Sequence, residues 1–224
     1  MIADDRVEGL LERYVKQNSI ISFGTGPSNE NFLKKLALYI EHSGIRVKVV
    51  PTSHSMGIIC SQLKLITVPL DEVSIDLAFD FVDQVDEDFN YISNETTSLI
   101  RDKMIAQDAA EMIVVCKEKN FVQKLKPNIS VEISNFAVNK TMTQLMNLGE
   151  PKLRMANGRA VLSETGHYFA DVLCDEIYSL EDLDYQAKRI PGVLETSMFL
   201  GYADRIVLYG ANLIVKSRMV ALEE

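Results

Sequence analysis

Residues 76–103 read DLAFDFVDQVDEDFNYISNETTSLIRDK, and this stretch decides the fold. The apolar run at 75–79 predicts a buried strand, and Asp80 and Asp83 follow at its end. A helical pattern begins further along and places Asp102 on its first turns. Carboxylates at the end of a strand, facing a loop and the start of a helix, are typical of the ligand site of an open α/β sheet.

Strands and helices alternate on both sides of this stretch. Apolar runs predict strands at 20–23, 46–50, 65–68, 112–116 and 205–209, and helical spacing predicts helices at 3–17, between 28 and 44, and after 96. Strand–helix–strand alternation of this kind predicts a parallel sheet with right-handed crossovers. The expected fold class is therefore α/β.

The pattern changes near residue 126. Shorter strands are predicted at 129–133, 160–163 and 168–173, joined by helical or turn segments. This part is typical of a small α+β insertion. We expect the strand at 205–209 to rejoin the first sheet.

The composition is ordinary for a globular protein of 224 residues, with 47% hydrophobic and 25% charged residues. A formal net charge of −9 argues against nucleic acid or an anionic membrane as a partner. Three cysteines without paired spacing indicate neither a disulfide framework nor a zinc site. The first residues do not resemble a signal peptide and no apolar run could span a bilayer, so we expect a cytoplasmic protein.

A Gly-Thr-Gly turn at 24–26 separates the strand at 20–23 from the next helix. Its glycines would let backbone N–H groups approach a phosphate, and the helix N-terminus adds a favourable partial charge. The turn has neither the spacing of a dinucleotide fingerprint nor the lysine of a P-loop. A tight strand-to-helix turn that simply requires glycine explains the same residues, and the turn alone slightly favours this structural interpretation.

Asp80 and Asp83 also admit two interpretations. Both can be capping or solvated residues, which is the favoured interpretation for the acidic run at 86–88. Asp80 is harder to explain in this way, because a carboxylate at the end of an apolar strand is costly unless it is paired or functional.

Several segments, spread nearly from end to end, resemble the type A ribose-5-phosphate isomerases in their order and spacing. The segments are SFGTG at 22–26, PTS at 51–53, DFVDQVD at 80–86, RDK at 101–103, VEI at 131–133, IPGV at 190–193 and FLGYAD at 199–204. The first resembles the family's phosphate loop, the third its Asp-Gly-Ala-Asp-Glu motif and the fourth its Arg-Glu-Lys segment.

The resemblance implies a Rossmann-like, mostly parallel sheet with helices on both faces, and a small α+β lid domain. The main domain would span 1–125 and be completed by 202–224, and 126–201 would form the lid and oligomerisation domain. The resemblance also implies a homodimer or homotetramer. Its reaction would interconvert ribose 5-phosphate and ribulose 5-phosphate in the pentose phosphate pathway, without a cofactor or a metal.

In this chemistry a carboxylate moves a proton between C2 and C1 of the sugar through an enediolate, while polar groups stabilise the developing charge. By position, the resemblance makes Asp102 the general base and assigns Asp80 and Asp83 to the sugar hydroxyls and ring opening. The residues that would hold the substrate and its phosphate are Gly24, Thr25, Gly26, Ser28, Thr52, Ser53 and Lys103.

The departures from the family lie in the site rather than in the scaffold. The family's base is Glu, and Asp102 is one methylene shorter. A family lysine and the glycines after it are replaced by Ser-Asn-Glu-Thr-Thr at 93–97, and another family lysine aligns with Asn120. Three hypotheses follow: a divergent isomerase with repositioned lysines, an enzyme for a different sugar phosphate, or a catalytically impaired homologue that serves as a sugar-phosphate-binding or assembly module. The divergent isomerase is the best single interpretation.

Overall fold

The computed structural model describes residues 4–126, 128–174 and 179–218. The helices are α1 (Asp4–Tyr14), α2 (Pro27–Ser43), α3 (His54–Gln62), α4 (Leu99–Asp108), α5 (Val138–Leu145) and α6 (Leu180–Lys188). The strands are β1 (Ile20–Phe23), β2 (Lys48–Val50), β3 (Ile66–Thr67), β4 (Leu77–Phe81), β5 (Gln84–Val85), β6 (Tyr91–Ile92), β7 (Met112–Lys117), β8 (Asn128–Ile133), β9 (Gly149–Leu153), β10 (Met155–Ala156), β11 (Arg159–Ala160), β12 (Tyr168–Cys174), β13 (Val193–Thr196), β14 (Met198–Phe199), β15 (Arg205–Tyr209) and β16 (Leu213–Ser217).

Seven strands form the central sheet, in the order β16-β15-β7-β4-β1-β2-β3. All neighbouring pairs run parallel except β15 and β16, which form an antiparallel hairpin at one edge. The predicted α/β class with a mostly parallel sheet is therefore confirmed. β15 rejoins this sheet beside β7, as the sequence predicts.

Apolar clusters pack on both faces of the central sheet. The side chains of β4 alternate, so Leu77 and Phe79 belong to one buried cluster and Ala78 to the other. Residues of α1, α2 and α3 complete the first cluster, and residues of α4 contribute to the second. Helices thus cover both faces, which explains why the central strands read as continuous apolar runs.

The second half of the chain contains a smaller antiparallel sheet in the order β13-β8-β12-β9. A third buried cluster joins the strands of this sheet to α5 and α6. A three-stranded sheet, β14-β6-β5, combines segments from both halves of the sequence. The predicted division into a main domain and a lid domain at 126–201 stays a prediction. Within the described ranges, no helix has the length and apolar character needed to cross a membrane.

Two elements differ from their predicted boundaries in ways that affect the site. β4 extends to Phe81 rather than ending at residue 79, because Asp80 and Phe81 continue the parallel pairing with β7. Asp80 therefore lies within the strand. α2 is capped by Gly26 and begins at Pro27, so the predicted helix starts one residue earlier and Ser28 lies within its first turn. Proline suits the first helical position, where a backbone N–H would have no intrahelical partner.

Candidate active site

The candidate site lies where the strand order of the central sheet reverses. From β1 the chain continues to β2 on one side, whereas β4 pairs with β1 on the other side. The loops at such a point open a crevice at the carboxyl ends of the strands, where α/β proteins bind ligands. The Gly-Thr-Gly turn follows β1 and Asp80 is near the end of β4, so both border this crevice.

Asp80 is almost wholly buried, with 2% of its surface exposed. Its Oδ1 accepts a hydrogen bond of 2.9 Å from Nδ2 of Asn29. Asn29 Nδ2 also donates to the Thr25 carbonyl at 2.8 Å, and Asn29 Oδ1 accepts from the Phe81 N–H at 3.2 Å. Asn29 therefore ties the Gly-Thr-Gly turn to the strand that carries Asp80.

Gly24 leaves room for the Asp80 carboxylate. A Cβ at residue 24 would lie 2.0 Å from Oδ1 and 2.5 Å from Cγ of Asp80, far inside van der Waals contact. The Gly24 N–H donates to the Phe79 carbonyl at 2.8 Å, which fixes the backbone at this position. The close approach of Asp80 therefore requires glycine here.

Asp102 approaches the same turn from α4. The Ser98 side chain caps this helix by accepting a hydrogen bond from the Arg101 N–H. Asp102 Oδ2 accepts hydrogen bonds from the Thr96 and Thr25 hydroxyls, the latter at 3.2 Å. Its Oδ1 is buried and has no hydrogen-bond partner among the described residues. One oxygen of the carboxylate is thus held in place, and the other is not.

Burial dominates the electrostatics of both carboxyls. It raises the pKa of Asp102 to about 7, against the opposing effect of the Thr96 and Thr25 hydrogen bonds. Burial also raises the pKa of Asp80 well above its usual value, and the charge of Asp102 adds to this effect. At neutral pH Asp102 can therefore both accept and release a proton, whereas Asp80 favours its protonated form.

A family model describes most of the chain: that of ribose 5-phosphate isomerase A (phosphoriboisomerase A) matches residues 48–212. The chain belongs to this family. Ribose-5-phosphate isomerase A of Prochlorococcus marinus is 31% identical over 216 residues, which cover 93% of this chain and 91% of that protein. Ribose-5-phosphate isomerase A of Sinorhizobium fredii is 30% identical over 206 residues, which cover 88% of this chain and 89% of that protein. The structure of ribose 5-phosphate isomerase A from Methanocaldococcus jannaschii aligns with a TM-score of 0.87 at 25% identity, covering 96% of this chain and 98% of that one.

The loop at 93–97, where the chain departs from the ribose 5-phosphate isomerase A pattern, packs on the Gly-Thr-Gly turn. The Thr25 hydroxyl lies 3.0 Å from the Thr96 hydroxyl and accepts a hydrogen bond of 2.9 Å from the Thr97 N–H. The Glu95 carbonyl would lie 2.8 Å from a Cβ at Gly26, whose φ of 99° also favours glycine. Hydroxyl groups of this loop and turn therefore hold the carboxylate of α4.

Asp83 is half-buried in the loop after β4. Its Oδ2 accepts a hydrogen bond of 2.7 Å from the Asn94 N–H, and its carbonyl accepts one of 2.7 Å from Asn120 Nδ2. After burial and the charge of Asp102, the charge of Asp83 also raises the pKa of Asp80. Asn120 therefore supports the loop that carries Asp83.

The predicted phosphate ligands divide between separate cavities. Ser28 lines a cavity of about 180 Å³ at the N-terminus of α2, together with Lys117. Thr52 lines a cavity of about 640 Å³ and Ser53 an open one of about 560 Å³, and Arg101 borders both. Each group of predicted ligands therefore has a cation beside it.

The Thr52 and Ser53 hydroxyls already stabilise local structure. The Thr52 hydroxyl donates to the Phe23 carbonyl at 2.5 Å, which joins β1 to the loop after β2. Ser53 is the N-cap of α3, and its side chain accepts a hydrogen bond of 3.0 Å from the Met56 N–H. Their role as substrate ligands stays a prediction.

Lys103 is predicted to bind the substrate, but its side chain extends to β13. Its amino group donates to Glu195 Oε1 at 2.6 Å and to the Thr196 carbonyl at 3.2 Å, and it lies 5.0 Å from the Phe199 ring centroid. Burial lowers the pKa of Lys103, although the Glu195 carboxylate opposes this effect. Successive residues of a helix point about 100° apart, so Lys103 reaches β13 while Asp102 reaches the turn. We therefore do not assign Lys103 to the substrate.

Glu132 is a buried carboxylate near Asp102 whose position the sequence did not reveal. It is 0% exposed, and its Oε2 accepts a hydrogen bond of 3.3 Å from the Ile100 N–H at the start of α4. Its Oε1 accepts a hydrogen bond of 2.5 Å from the Thr165 hydroxyl and lies 3.5 Å from His167 Nδ1. The sequence contains one signal for this site, a single Glu within an apolar strand. A buried carboxylate is costly unless it is paired, so such a Glu indicates a partner or a function.

Proposed function

We propose that this protein is an isomerase that interconverts ribose 5-phosphate and ribulose 5-phosphate. The observation that carries the proposal is Asp102, a buried carboxyl beside the Gly-Thr-Gly turn whose pKa is about 7. Its Oδ1 has no partner among the described residues and is the oxygen that a substrate can meet. Membership of the family and the names of the relatives support the same reaction.

Asp102 is the proposed base. It removes the proton from C2 of the open-chain aldose, which leaves an enediolate, and it delivers that proton to C1, while O1 gains a proton and the O2 hydroxyl loses one to complete the ketose. A pKa of about 7 suits this role, because the same carboxylate must accept and release a proton within one turnover. Thr25 and Thr96 hold Oδ2, so the orientation of Oδ1 is set before the substrate binds.

Asp80 is the proposed acid. Burial raises its pKa well above the usual value and thereby favours its protonated form. That proton can go to the ring oxygen during ring opening, or to the sugar oxygen on which charge develops. The hydrogen bond from Asn29 fixes the direction of the carboxyl. Asp83, on the adjacent loop, is proposed to bind a sugar hydroxyl.

The phosphate group is proposed to lie at the N-terminus of α2. The turn at Gly24–Gly26 leads into this helix, whose first N–H groups and positive partial charge favour an anion. Ser28 and Lys117 line the cavity there. Pro27 offers no N–H, so the amino group of Lys117 is proposed to compensate for that donor.

The ligand class, a small sugar phosphate, is taken from the names of the relatives. A homodimer or homotetramer and a reaction without cofactor or metal stay predictions from the family resemblance, and a cytoplasmic location stays a prediction from the sequence.

The test is ribulose 5-phosphate formation by the purified protein, with Asp102→Asn as the matched control. Asparagine keeps the size of the side chain but cannot take a proton, so turnover should fall by about 10²–10⁴-fold. Wild-type turnover no higher than that of the variant, across a panel of sugar phosphates, would refute the isomerase. Thermal stabilisation by a sugar phosphate without turnover would instead support the binding-module hypothesis.

A further inference from the structure

The Asn94 side chain pairs with the backbone of a strand in the smaller antiparallel sheet. Its Oδ1 accepts a hydrogen bond of 2.9 Å from the Ser130 N–H, and its Nδ2 donates one of 3.2 Å to the Asn128 carbonyl. Residues 128 and 130 are two apart on β8, so these two backbone groups point out from the same edge of the strand. The amide group of Asn94 therefore pairs with this edge as the backbone of a neighbouring strand would.

The pairing occurs where the neighbouring strand ends. β13 pairs with β8 as far as Thr196, and the next N–H, that of Ser197, donates to the Ser130 carbonyl at 2.8 Å. The Ser197 hydroxyl then donates to Asn94 Oδ1 at 2.7 Å and accepts from the Ser130 N–H at 2.8 Å. Three hydrogen bonds thus join Asn94, Ser130 and Ser197 at the end of the ladder.

The backbone of Asn94 contacts a carboxylate of the candidate site. The Asn94 N–H donates to Asp83 Oδ2 at 2.7 Å, and in the described part of the chain this is the hydrogen bond that the Asp83 carboxylate receives. The short distance is typical of a charge-assisted hydrogen bond. Asn94 therefore links the edge of β8 to Asp83, through its side chain on one side and its backbone on the other.

The direction of the Asp83 carboxylate depends on this link. The backbone of Asp83 is held separately, because its N–H donates to the Ile92 carbonyl at 2.9 Å and its carbonyl accepts from Asn120 Nδ2 at 2.7 Å. These bonds fix the Cα atom but leave the side-chain torsions free to choose among their rotamers. The Asn94 N–H selects one of them.

The Asn94 side chain is also the last anchor before an irregular segment. Up to residue 93 the chain is held by backbone pairing: Ile92 pairs with Met198, and the Ser93 N–H donates to the Ser197 carbonyl at 3.1 Å. The next residue, Glu95, is exposed. The N–H of Asn94 is therefore held in place chiefly by the hydrogen bonds of its own side chain.

We propose that Asn94 is a positioning residue: its side chain fixes the residue-94 N–H against β8, and this N–H directs the Asp83 carboxylate towards the substrate. The inference rests on the proposed function, in which Asp83 binds a sugar hydroxyl. Asn94 acts through Asp83, and no proton moves in this role. The substrate contact then depends on the antiparallel sheet as well as on the central sheet.

The primary test is amide hydrogen exchange at residue 94, measured by NMR in the free protein. In Asn94→Ala the exchange should be at least about tenfold faster than in wild type, after allowance for the intrinsic rates of the two sequences, while the amides of β6 keep their rates. Asp83→Ala should accelerate exchange at the same amide, because its acceptor is gone. Unchanged protection of residue 94 in both variants would overturn the proposal. This readout needs no turnover, so its failure is distinct from a failure of the isomerase assay.

Steady-state kinetics with ribose 5-phosphate supply the second readout. Asn94→Ala should raise KM by about tenfold while kcat changes by less than about threefold, because a misdirected Asp83 loses binding that the ground state and the transition state share. In an Asp83→Ala background, Asn94→Ala should have no further effect on kcat/KM. Additive effects of the two substitutions would overturn the proposal, since Asn94 would then not act through Asp83.

Ser197→Ala is a milder variant that leaves Asn94 in place. It removes the hydroxyl that donates to Asn94 Oδ1 but keeps the bonds of Asn94 to the Ser130 N–H and the Asn128 carbonyl. It should change KM and the exchange at residue 94 in the same direction as Asn94→Ala, by about two- to threefold. No change in either quantity would contradict the role of the Asn94 side chain.

Asn90→Ala is the matched control. Asn90 Oδ1 accepts a hydrogen bond of 2.9 Å from the Gly201 N–H, and its Nδ2 donates one of 3.1 Å to Asp86 Oδ2. Asn90 thus also joins the segment before residue 94 to a distant part of the chain, but neither bond reaches Asp83. Its removal should lower the melting temperature about as much as Asn94→Ala and leave KM unchanged. If both variants raised KM equally, the effect of Asn94→Ala would be structural and the proposal would be refuted.

Discussion

Asp80 occupies the space that a side chain at residue 24 would need: a Cβ on Gly24 would lie 2.0 Å from Asp80 Oδ1. The glycine cannot move aside, because its N–H is bound to the Phe79 carbonyl at 2.8 Å. We therefore expect Gly24→Ala to displace the Asp80 carboxyl and to lower kcat/KM by at least about 100-fold, since a shift of about 1 Å has that effect.

Gly9→Ala controls for the Gly24→Ala exchange. Gly9 lies on α1, and a Cβ added there would have no neighbouring atom within 4 Å, so alanine should stabilise the helix by about 0.5–1 kcal/mol. Activity assays and urea denaturation of both variants check the pair. Wild-type activity in Gly24→Ala would show that the carboxyl position is not critical.

Asn29 should matter as much as Gly24 for holding the Asp80 carboxyl in position. Asn29→Ala removes one hydrogen bond to Asp80 Oδ1 and one each to the Thr25 carbonyl and the Phe81 N–H. We expect a loss of about 2–3 kcal/mol in the free energy of unfolding, because buried polar groups are left unpaired. Asn31→Ala, on the same helix, is the control and should change stability by less than about 0.5 kcal/mol. Similar losses in the two variants would contradict the role of Asn29.

Activity should depend on pH through Asp102. The base must be ionised, so kcat/KM should fall about tenfold per pH unit below a pKa of about 7. A rate profile from pH 5 to 9 measures this limb. A limb near pH 4, the ordinary range of an aspartate, would show that burial does not control the base.

Stability should change over the same pH range in the opposite sense. Burial raises the pKa of both Asp80 and Asp102 above their unfolded values, so the folded protein binds more protons in this range. The free energy of unfolding should therefore decrease as the pH rises from about 4 to about 7. Asp102→Asn should lose less stability than wild type between pH 5 and pH 7. Equal slopes in urea denaturation would contradict the assignment.

The sequence revealed those parts of the site that depend on local pattern. Asp80 is a candidate from the sequence because an apolar run with a carboxylate at its end is a local signal, whereas Asp102 is a candidate only through the family resemblance. Asn29 could not be predicted as a ligand of Asp80, since 51 residues separate the two and residue 29 also suits a helix cap. The family resemblance assigns Lys103 to the substrate, and the sequence does not show that Glu195, 92 residues away, meets it on β13.

Lys117 should bind the substrate phosphate. It shares the cavity at the N-terminus of α2 with Ser28, so Lys117→Ala should raise KM for ribose 5-phosphate by about tenfold or more while kcat changes little. Lys119→Ala removes a nearby charge that does not line this cavity, and it is the matched control. Steady-state kinetics of the two variants at low and high salt test the prediction. Equal effects of the two variants would indicate a general electrostatic attraction rather than a phosphate contact.

The Lys103–Glu195 ion pair should fix the helix of the base against the antiparallel sheet. Glu195→Gln leaves a buried ammonium without its anion, so we expect a loss of about 3 kcal/mol in the free energy of unfolding. Lys103→Met with Glu195→Gln should lose less than Glu195→Gln alone, because no buried charge remains. Lys188→Met removes the half-exposed cation that also contacts Glu195, and it should cost less than about 1 kcal/mol. A double-mutant cycle in urea measures the coupling, and simple additivity would show that the pair does not join α4 to β13.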